Sequence, residues 1–135
     1  MAIPTSYTEF VAGLAALAVT GLKRNFTEPP ASIGSADLPA MWPGLPRGSE
    51  PALTFKTAGG WPVLTCDLVI ATEAKGQGTQ MQNYAGMLTI MDNLSTALRA
   101  TKIGRATLTW TMTANVLVEV AGTTYWAVIA TIDGR

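Results

Sequence analysis

The sequence predicts an α+β fold: one antiparallel or mixed β-sheet, two α-helices packed on one face of it, and a long C-terminal β-hairpin. Apolar residues alternate with polar ones from Leu108 to Val120 and again after Gly122, which is the two-residue period of a strand. Two other segments, residues 6–20 and 80–100, carry apolar residues at helical spacing. The 135 residues are enough for a single domain, residues 1–135, and too few for two.

The C-terminal hairpin needs a connection that keeps both apolar sets on one side of the sheet. Even positions are apolar on both strands, so a two-residue turn would send half of them to the wrong face. A three-residue loop, residues 121–123, restores the match by placing Val120 opposite Thr124 and Val118 opposite Trp126. Gly122 then supplies the positive φ that such loops need.

The first helix is predicted over residues 6–20. Ser6 and Glu9 have the spacing of a capping box, and Gly21 is suited to end the helix. The apolar positions from Tyr7 to Ala18 form a face wide enough to lie on a sheet.

Residues 22–46 are rich in proline. A short strand is expected at residues 23–26 and an extended segment at residues 38–43. Because proline cannot donate a hydrogen bond to a neighbouring strand, the second segment is expected at a sheet edge or across the sheet. Leu38 and Trp42 are apolar anchors, which argues against a linker between domains.

A second hairpin is predicted from strands at residues 52–57 and 61–73, separated by Gly59 and Gly60. A glycine-rich loop then leads to the second helix, residues 80–100, with Thr79 as its N-cap. The side chains at helical spacing that should face the sheet are Tyr84, Met87, Leu88, Met91, Leu94 and Leu98.

Composition indicates a structural role and no catalysis. The chain has no histidine and one cysteine, Cys66, so imidazole chemistry, zinc-finger spacing and an internal disulfide are excluded. The nine carboxylates are scattered, although a pair of Asp67 with Glu119 across the sheet stays possible. Lys75 precedes the glycines before Thr79, whereas the lysine of a nucleotide-binding loop follows them. No enzyme activity, cofactor or metal is therefore expected.

The surface chemistry favours a subunit of an assembly. Charged residues make up 13% of the chain, about half of the ~25% usual for soluble domains, and nine basic residues balance nine acidic ones. Such a balance does not steer the chain to nucleic acid.

The apolar stretch at residues 10–22 is too short to span a membrane.

The chain resembles the tail terminator (tail completion) proteins of long-tailed bacteriophages. The resemblance rests on the short N-terminal helix from Thr5 to Thr20, on the proline-interrupted stretch Ala36-Asp37-Leu38-Pro39-Ala40-Met41-Trp42, and on a strand, long helix and terminal hairpin. It implies a homo-oligomeric ring, usually a hexamer, that caps the tail tube, ends its polymerisation and joins the tail to the head-side connector. The ring would form in the host cytoplasm and remain in the virion, with DNA passing through its lumen without specific binding.

We expect contacts with neighbouring subunits, the tail tube protein and the connector through the loop at residues 75–79, the segment at residues 38–46, and the polar face of the hairpin or the sheet edge beside it. The expected interface residues are Leu38, Trp42, Trp61, Lys75, Gln77, Thr79, Thr109, Thr111 and Tyr125. Two alternatives remain open: another neck, head-completion or minor tail protein, or a small α+β ligand-binding domain with a pocket between helix and sheet.

Overall fold

A computed structural model describes residues 7–49, 63–74, 84–101 and 108–134, and it confirms the α+β class. In chain order the elements are α1 (Tyr7–Ala15), β1 (Arg24–Asn25), β2 (Ala40–Pro43), β3 (Arg47–Ser49), β4 (Val63–Ala74), α2 (Tyr84–Arg99), β5 (Leu108–Val120) and β6 (Thr123–Gly134). The described strands form one sheet in the order β1-β2-β4-β6-β5, with β3 paired to the start of β4. Only β1 and β2 are parallel, so the sheet is mixed.

Both helices pack on the same face of the sheet, which we call the helix face. The predicted alternation of β4 is confirmed, since Leu64, Cys66, Leu68 and Ile70 are all fully buried there. Phe10 and Leu14 of α1 and Leu94 and Leu98 of α2 fill the same core. Each such side chain contributes about 1.5–3 kcal/mol of burial free energy, so this core fixes the helices on the sheet.

Helix α1 is shorter than predicted, because it ends at Ala15 and not near residue 20. Leu17 and Val19 lie beyond the helix and are both buried, at the two-residue spacing of an extended chain. Side-chain amides satisfy the backbone of this stretch: Asn25 Nδ2 donates to the Leu17 carbonyl at 3.1 Å, and Asn93 Nδ2 to the Thr20 carbonyl at 2.8 Å. The predicted N-cap, Ser6, lies outside the described residues.

Helix α2 is confirmed, with a buried stripe rotated from the predicted one. Met87, Ile90, Leu94 and Leu98 are buried, whereas Tyr84 and Leu88 are exposed. Ile90 takes the place of Leu88 because the sheet contacts a face centred slightly further around the helix. The predicted first turn, residues 80–83, lies outside the described residues.

The opposite side of the sheet carries a second core, which the sequence pattern did not predict. Residues 26–38, which we call the strap, cross this strap face and place Phe26, Ile33 and Leu38 on it. Beneath them lie buried residues of three strands: Ala40, Trp42, Val69, Ala71, Tyr125 and Ala127. A single 3₁₀ turn, Ser35–Asp37, ends the strap just before β2.

Strand β2 lies inside the sheet, which corrects the prediction of an edge position. All four of its residues are buried, and it pairs with β4 from Ala40 to Pro43. Its other side pairs with β1 only at Ala40 and Met41. Pro43 therefore lies past the end of β1, where the missing N–H of proline costs no ladder bond.

The C-terminal hairpin is confirmed, but the predicted loop is wrong. The turn has two residues, with Val120 opposite Thr123 and Val118 opposite Tyr125. Ala121 and Gly122 both have positive φ, +53° and +82°, as a type I′ turn requires. A bulge between Thr113 and Val116 adds one residue to β5 that has no partner on β6. Before the bulge, even positions of β5 are therefore opposite even positions of β6, as Met112 is opposite Ala130.

The bulge divides the apolar side chains of β5 between the two faces. Leu108, Trp110 and Met112 pack against the helix-face core, whereas Val118 and Val120 pack against the strap-face core. The even positions of the strand therefore do not share one face along its whole length, as the sequence pattern had predicted. The predicted strand at residues 52–57 lies outside the described residues; β3, at residues 47–49, was not predicted.

Candidate assembly surface

Three of the predicted interface residues come together inside the subunit. Trp42 and Tyr125 are 6% and 5% exposed, and Leu38 packs against them from the strap. The Tyr125 hydroxyl donates a hydrogen bond to the Ile33 carbonyl at 3.2 Å, which ties the strap to β6. This corrects the expectation that Trp42 and Tyr125 offer contact surface, because their side chains already close the second core.

Two other predicted residues do lie on the surface. Thr109 and Thr111 are exposed on β5, and alternation places them with Thr113 on the strap face, beyond the end of the strap-face core. Their neighbours on β6 are Asp133 and Thr131. The exposed half of the strap face is thus lined with hydroxyl groups.

A hydrogen-bonded polar cluster continues this surface onto β4. The Thr131 hydroxyl donates to Asp67 Oδ1 at 2.8 Å, and the Thr65 hydroxyl donates to Asp133 Oδ1 at 2.6 Å. Arg47 of β3 lies 3.6 Å from Asp67 Oδ2. Both carboxylates accept hydrogen bonds from cross-strand partners, so this part of the face is a hydrogen-bonded polar surface.

The outer edge of β5 is the edge beside the polar face of the hairpin, where a neighbouring subunit was expected. Among the described residues no strand pairs with that edge, although β5 is thirteen residues long. The strand contains no proline, and Glu119 is its only charged residue. Proteins commonly protect long edge strands with charges, prolines or short length, and β5 has little of that protection before its bulge. The alternation showed a hairpin, but it did not show which strand would be outermost.

The remaining predicted interface residues, Trp61, Lys75, Gln77 and Thr79, lie outside the described residues. So does the glycine-rich loop that precedes Thr79. They stay predictions from the sequence.

The carboxylate pair of Asp67 and Glu119 does not form. Asp67 is opposite Thr131, which is opposite Thr111, eight positions along β5 from Glu119. The bulge also places Glu119 on the same face of the sheet as Leu117 and Trp126, which is the face opposite to that of Asp67. Within the described ranges no group of three or more carboxylate or thiol side chains is placed to hold a metal ion.

Cys66 is a core residue. Its side chain is fully buried on the helix face, where its sulfur lies 3.5 Å from the Gly44 carbonyl. Burial, and to a lesser extent the charge of Asp67, raises the pKa of the Cys66 thiol to about 11. The group is neutral at physiological pH and is shielded from reagents, so it is not a nucleophile.

An open groove of about 420 Å³ runs beside α1. Among the described residues none that lines it is charged; these lining residues are Tyr7, Thr8, Val11, Ala12, Ala15, Thr27 and Pro46. A pocket of this kind offers apolar contact and a few hydroxyl groups. It does not lie between a helix and the sheet, because fourteen buried side chains occupy that space.

Comparisons with family models, with characterised proteins and with solved structures find no match to this chain. No helix in the described ranges is long and apolar enough to cross a membrane.

Proposed function

We propose that the protein is a structural subunit of a long-tailed bacteriophage that forms a ring on the end of the tail tube. The ring ends tube polymerisation and joins the tail to the head-side connector. The partners are other copies of this chain, the tail tube protein and a connector protein.

The observation that carries the proposal is the open side of the sheet at β5. Among the described residues no strand pairs with this edge, which carries the exposed Thr109, Thr111 and Thr113 and a single charged residue of β5, Glu119. A free monomer with such an edge is prone to pair with other strands. In an assembly the same edge gives backbone hydrogen bonds to a neighbour, and its side chains give specificity.

The two edges of the sheet differ in a way that suits a terminal subunit. Among the described strands the edge opposite β5 is β1, which has only two residues and lies next to β2, a strand that ends in Pro43. Short strands and prolines discourage further pairing. A subunit that pairs well through one edge only can bind to the end of an assembly but offers no second edge to the next subunit. This is the behaviour needed to stop growth.

The phage setting comes from the sequence resemblance. Its central stretch, residues 36–42, runs from the 3₁₀ turn of the strap into β2 and supplies Leu38, Ala40 and Trp42 to the strap-face core. A fold of this kind therefore needs apolar residues at positions 38, 40 and 42 of the stretch, because they fill this core. Another neck, head-completion or minor tail role would use the same surface.

A second candidate is a small ligand-binding domain, favoured by the groove beside α1. Its volume of about 420 Å³ falls within the usual range for small-molecule sites. The groove is open, and no described residue that lines it carries a charge to orient a ligand. This candidate is therefore weaker than the assembly role.

Attachment to tail tubes tests the proposal. The purified protein, labelled with gold, is mixed with headless tails from an infection that lacks this gene product, and the grids are examined by electron microscopy. We expect label at one end of each tube, with a bound mass near six times the 14.2 kDa of the chain. Label along the whole tube, or none, contradicts the proposal. A monomer that ignores tubes and gains thermal stability with a small molecule supports the groove instead.

A further inference from the structure

The unbulged part of β5 is a self-complementary edge. Six residues, 108–113, precede the bulge and pair with β6 in unbroken register. They contain neither a charge nor a proline. Among the described residues no strand pairs with the backbone donors and acceptors on their outer side.

The order of side chains in this stretch is nearly palindromic about Trp110. Thr109 and Thr111 flank it on the strap face, and Leu108 and Met112 flank it on the helix face. When two identical strands pair antiparallel, residue i of one copy is opposite residue 220 − i of the other if the axis passes through residue 110. Threonine then meets threonine, and apolar meets apolar, at every position from 108 to 112.

We propose that two copies of this chain pair through β5, antiparallel, about a twofold axis at Trp110. The two sheets join into one across the axis. Thr109 of each copy lies opposite Thr111 of the other, and Leu108 opposite Met112. The two Trp110 rings lie side by side on the helix face.

This pairing covers side chains that the single subunit leaves incomplete. Leu108, Trp110 and Met112 are only half-buried in the subunit, although they pack against its core. Cross-strand pairs of aromatic residues, of apolar residues and of threonines each stabilise strand pairing. Their Cβ atoms lie about 4.5–5.5 Å apart when directly opposite.

A second copy fits the edge better than a foreign strand does. A twofold contact requires the same patch on both partners, and the palindrome gives each residue a partner of its own kind. Glu119, the one charge of β5, lies beyond the bulge and outside the paired residues. No like charges are therefore brought together.

The pairing goes beyond the proposed function and does not depend on it. A ring with one side toward the tube and the other toward the connector needs head-to-tail contacts, whereas this contact is twofold. The pair is the form of the free protein. It keeps an exposed edge occupied until the subunit meets the tail.

Disulfide trapping between two single variants tests the register. Thr109→Cys and Thr111→Cys proteins are prepared separately, mixed and oxidised, and the products are separated on a non-reducing gel. We expect a dimer from the mixture and several-fold less from either variant alone, because residues 109 and 111 are opposite each other only across the axis. Cys66 is buried with a raised thiol pKa of about 11, so it does not add background. No dimer from the mixture, or equal dimer from Thr109→Cys alone, overturns the proposal.

Light scattering across a dilution series tests the association itself. The unmodified chain should have twice the mass of the monomer. Thr111→Lys should raise the dissociation constant at least tenfold by placing a charge beside the axis. Thr123→Lys, an exposed threonine at the other end of the same hairpin, should not change it. Circular dichroism confirms that both variants fold. A monomer at every concentration, or equal weakening by both variants, contradicts the pairing and leaves tube attachment to be judged by microscopy.

Discussion

The turn of the C-terminal hairpin gives the sharpest prediction about stability. Ala121 has φ +53°, and an L-residue with a Cβ in this left-handed region costs roughly 1–2 kcal/mol. Asparagine tolerates the region better than alanine, and Asn-Gly is the preferred pair for a type I′ turn. Ala121→Asn should therefore raise the free energy of unfolding by about 1 kcal/mol. Ala121→Gly should raise it less, because the flexible glycine costs about 0.5–1 kcal/mol more entropy on folding.

Urea unfolding followed by tryptophan fluorescence measures these differences at one fixed protein concentration, since association also contributes to stability. A gain of about 1 kcal/mol corresponds to a melting temperature roughly 3–4 °C higher in a chain of this length. Ala18→Asn, at an exposed position outside the turn, is the control. If Ala121→Asn is neutral or destabilising, residue 121 is not left-handed. The hairpin would then have the three-residue loop that simple alternation predicts, and the bulge would be absent.

Three further predictions follow from packing and burial. A Cβ added at Gly48 would overlap the Tyr7 ring, so Gly48→Ala should destabilise the fold by about 1–3 kcal/mol. Adding Tyr7→Ala to the same chain should remove most of that additional cost, and a double-mutant cycle with no coupling would contradict the contact. Trp42→Ala should cost about 3–5 kcal/mol in urea unfolding, whereas Leu45→Ala, at an exposed site, should change stability by less than about 0.5 kcal/mol; equal effects would mean that the strap-face core is not formed. The thiol of Cys66 should react with a thiol reagent at pH 8 only after unfolding. Because its pKa is raised from 9.0 to about 11, the folded state holds the proton more tightly, so this group's stabilising contribution is complete below pH 9 and falls as pH rises toward 11. Fast native labelling, or no stability loss in that window relative to Cys66→Ala, would refute this assignment.

Periodicity was sufficient to predict the parts of the fold that depend on one face of one element. The alternation in β4 and the helical spacing in α2 each follow from a single repeat, so the strand, the helix and the helix-face core were predictable. The order of α1, β4, α2, β5 and β6 along the chain follows from repeats of this kind, whereas β3 does not.

Features that depend on two elements were not predictable in the same way. The even positions of β5 look like one apolar face, and only pairing with β6 shows that a bulge sends Val118 to the other side. The strap looks like a loop because its prolines interrupt both the helical and the strand spacing of apolar residues. Even so, Phe26, Ile33 and Leu38 pack on a second core. Trp42 was placed at an interface for the same reason: nothing in its own strand indicates the strap that covers it.

The same limit applies to the candidate surface. Thr109 and Thr111 were predicted from their uncharged alternation, and both are exposed. A contact at the edge beside them was also expected, but a sequence does not state which strand is outermost. The topology supplies that fact by placing β5 at the end of the order.

The length of the tails made without this protein tests the central claim most directly. Tails from an infection with the gene deleted are measured by electron microscopy, alongside tails from the same infection complemented with the unmodified chain. If the chain caps the tube, deletion should give headless tubes of widely varying length, and complementation should restore one length and joined heads. Headless tails of a single normal length would contradict the capping role and would indicate another neck or head-completion role.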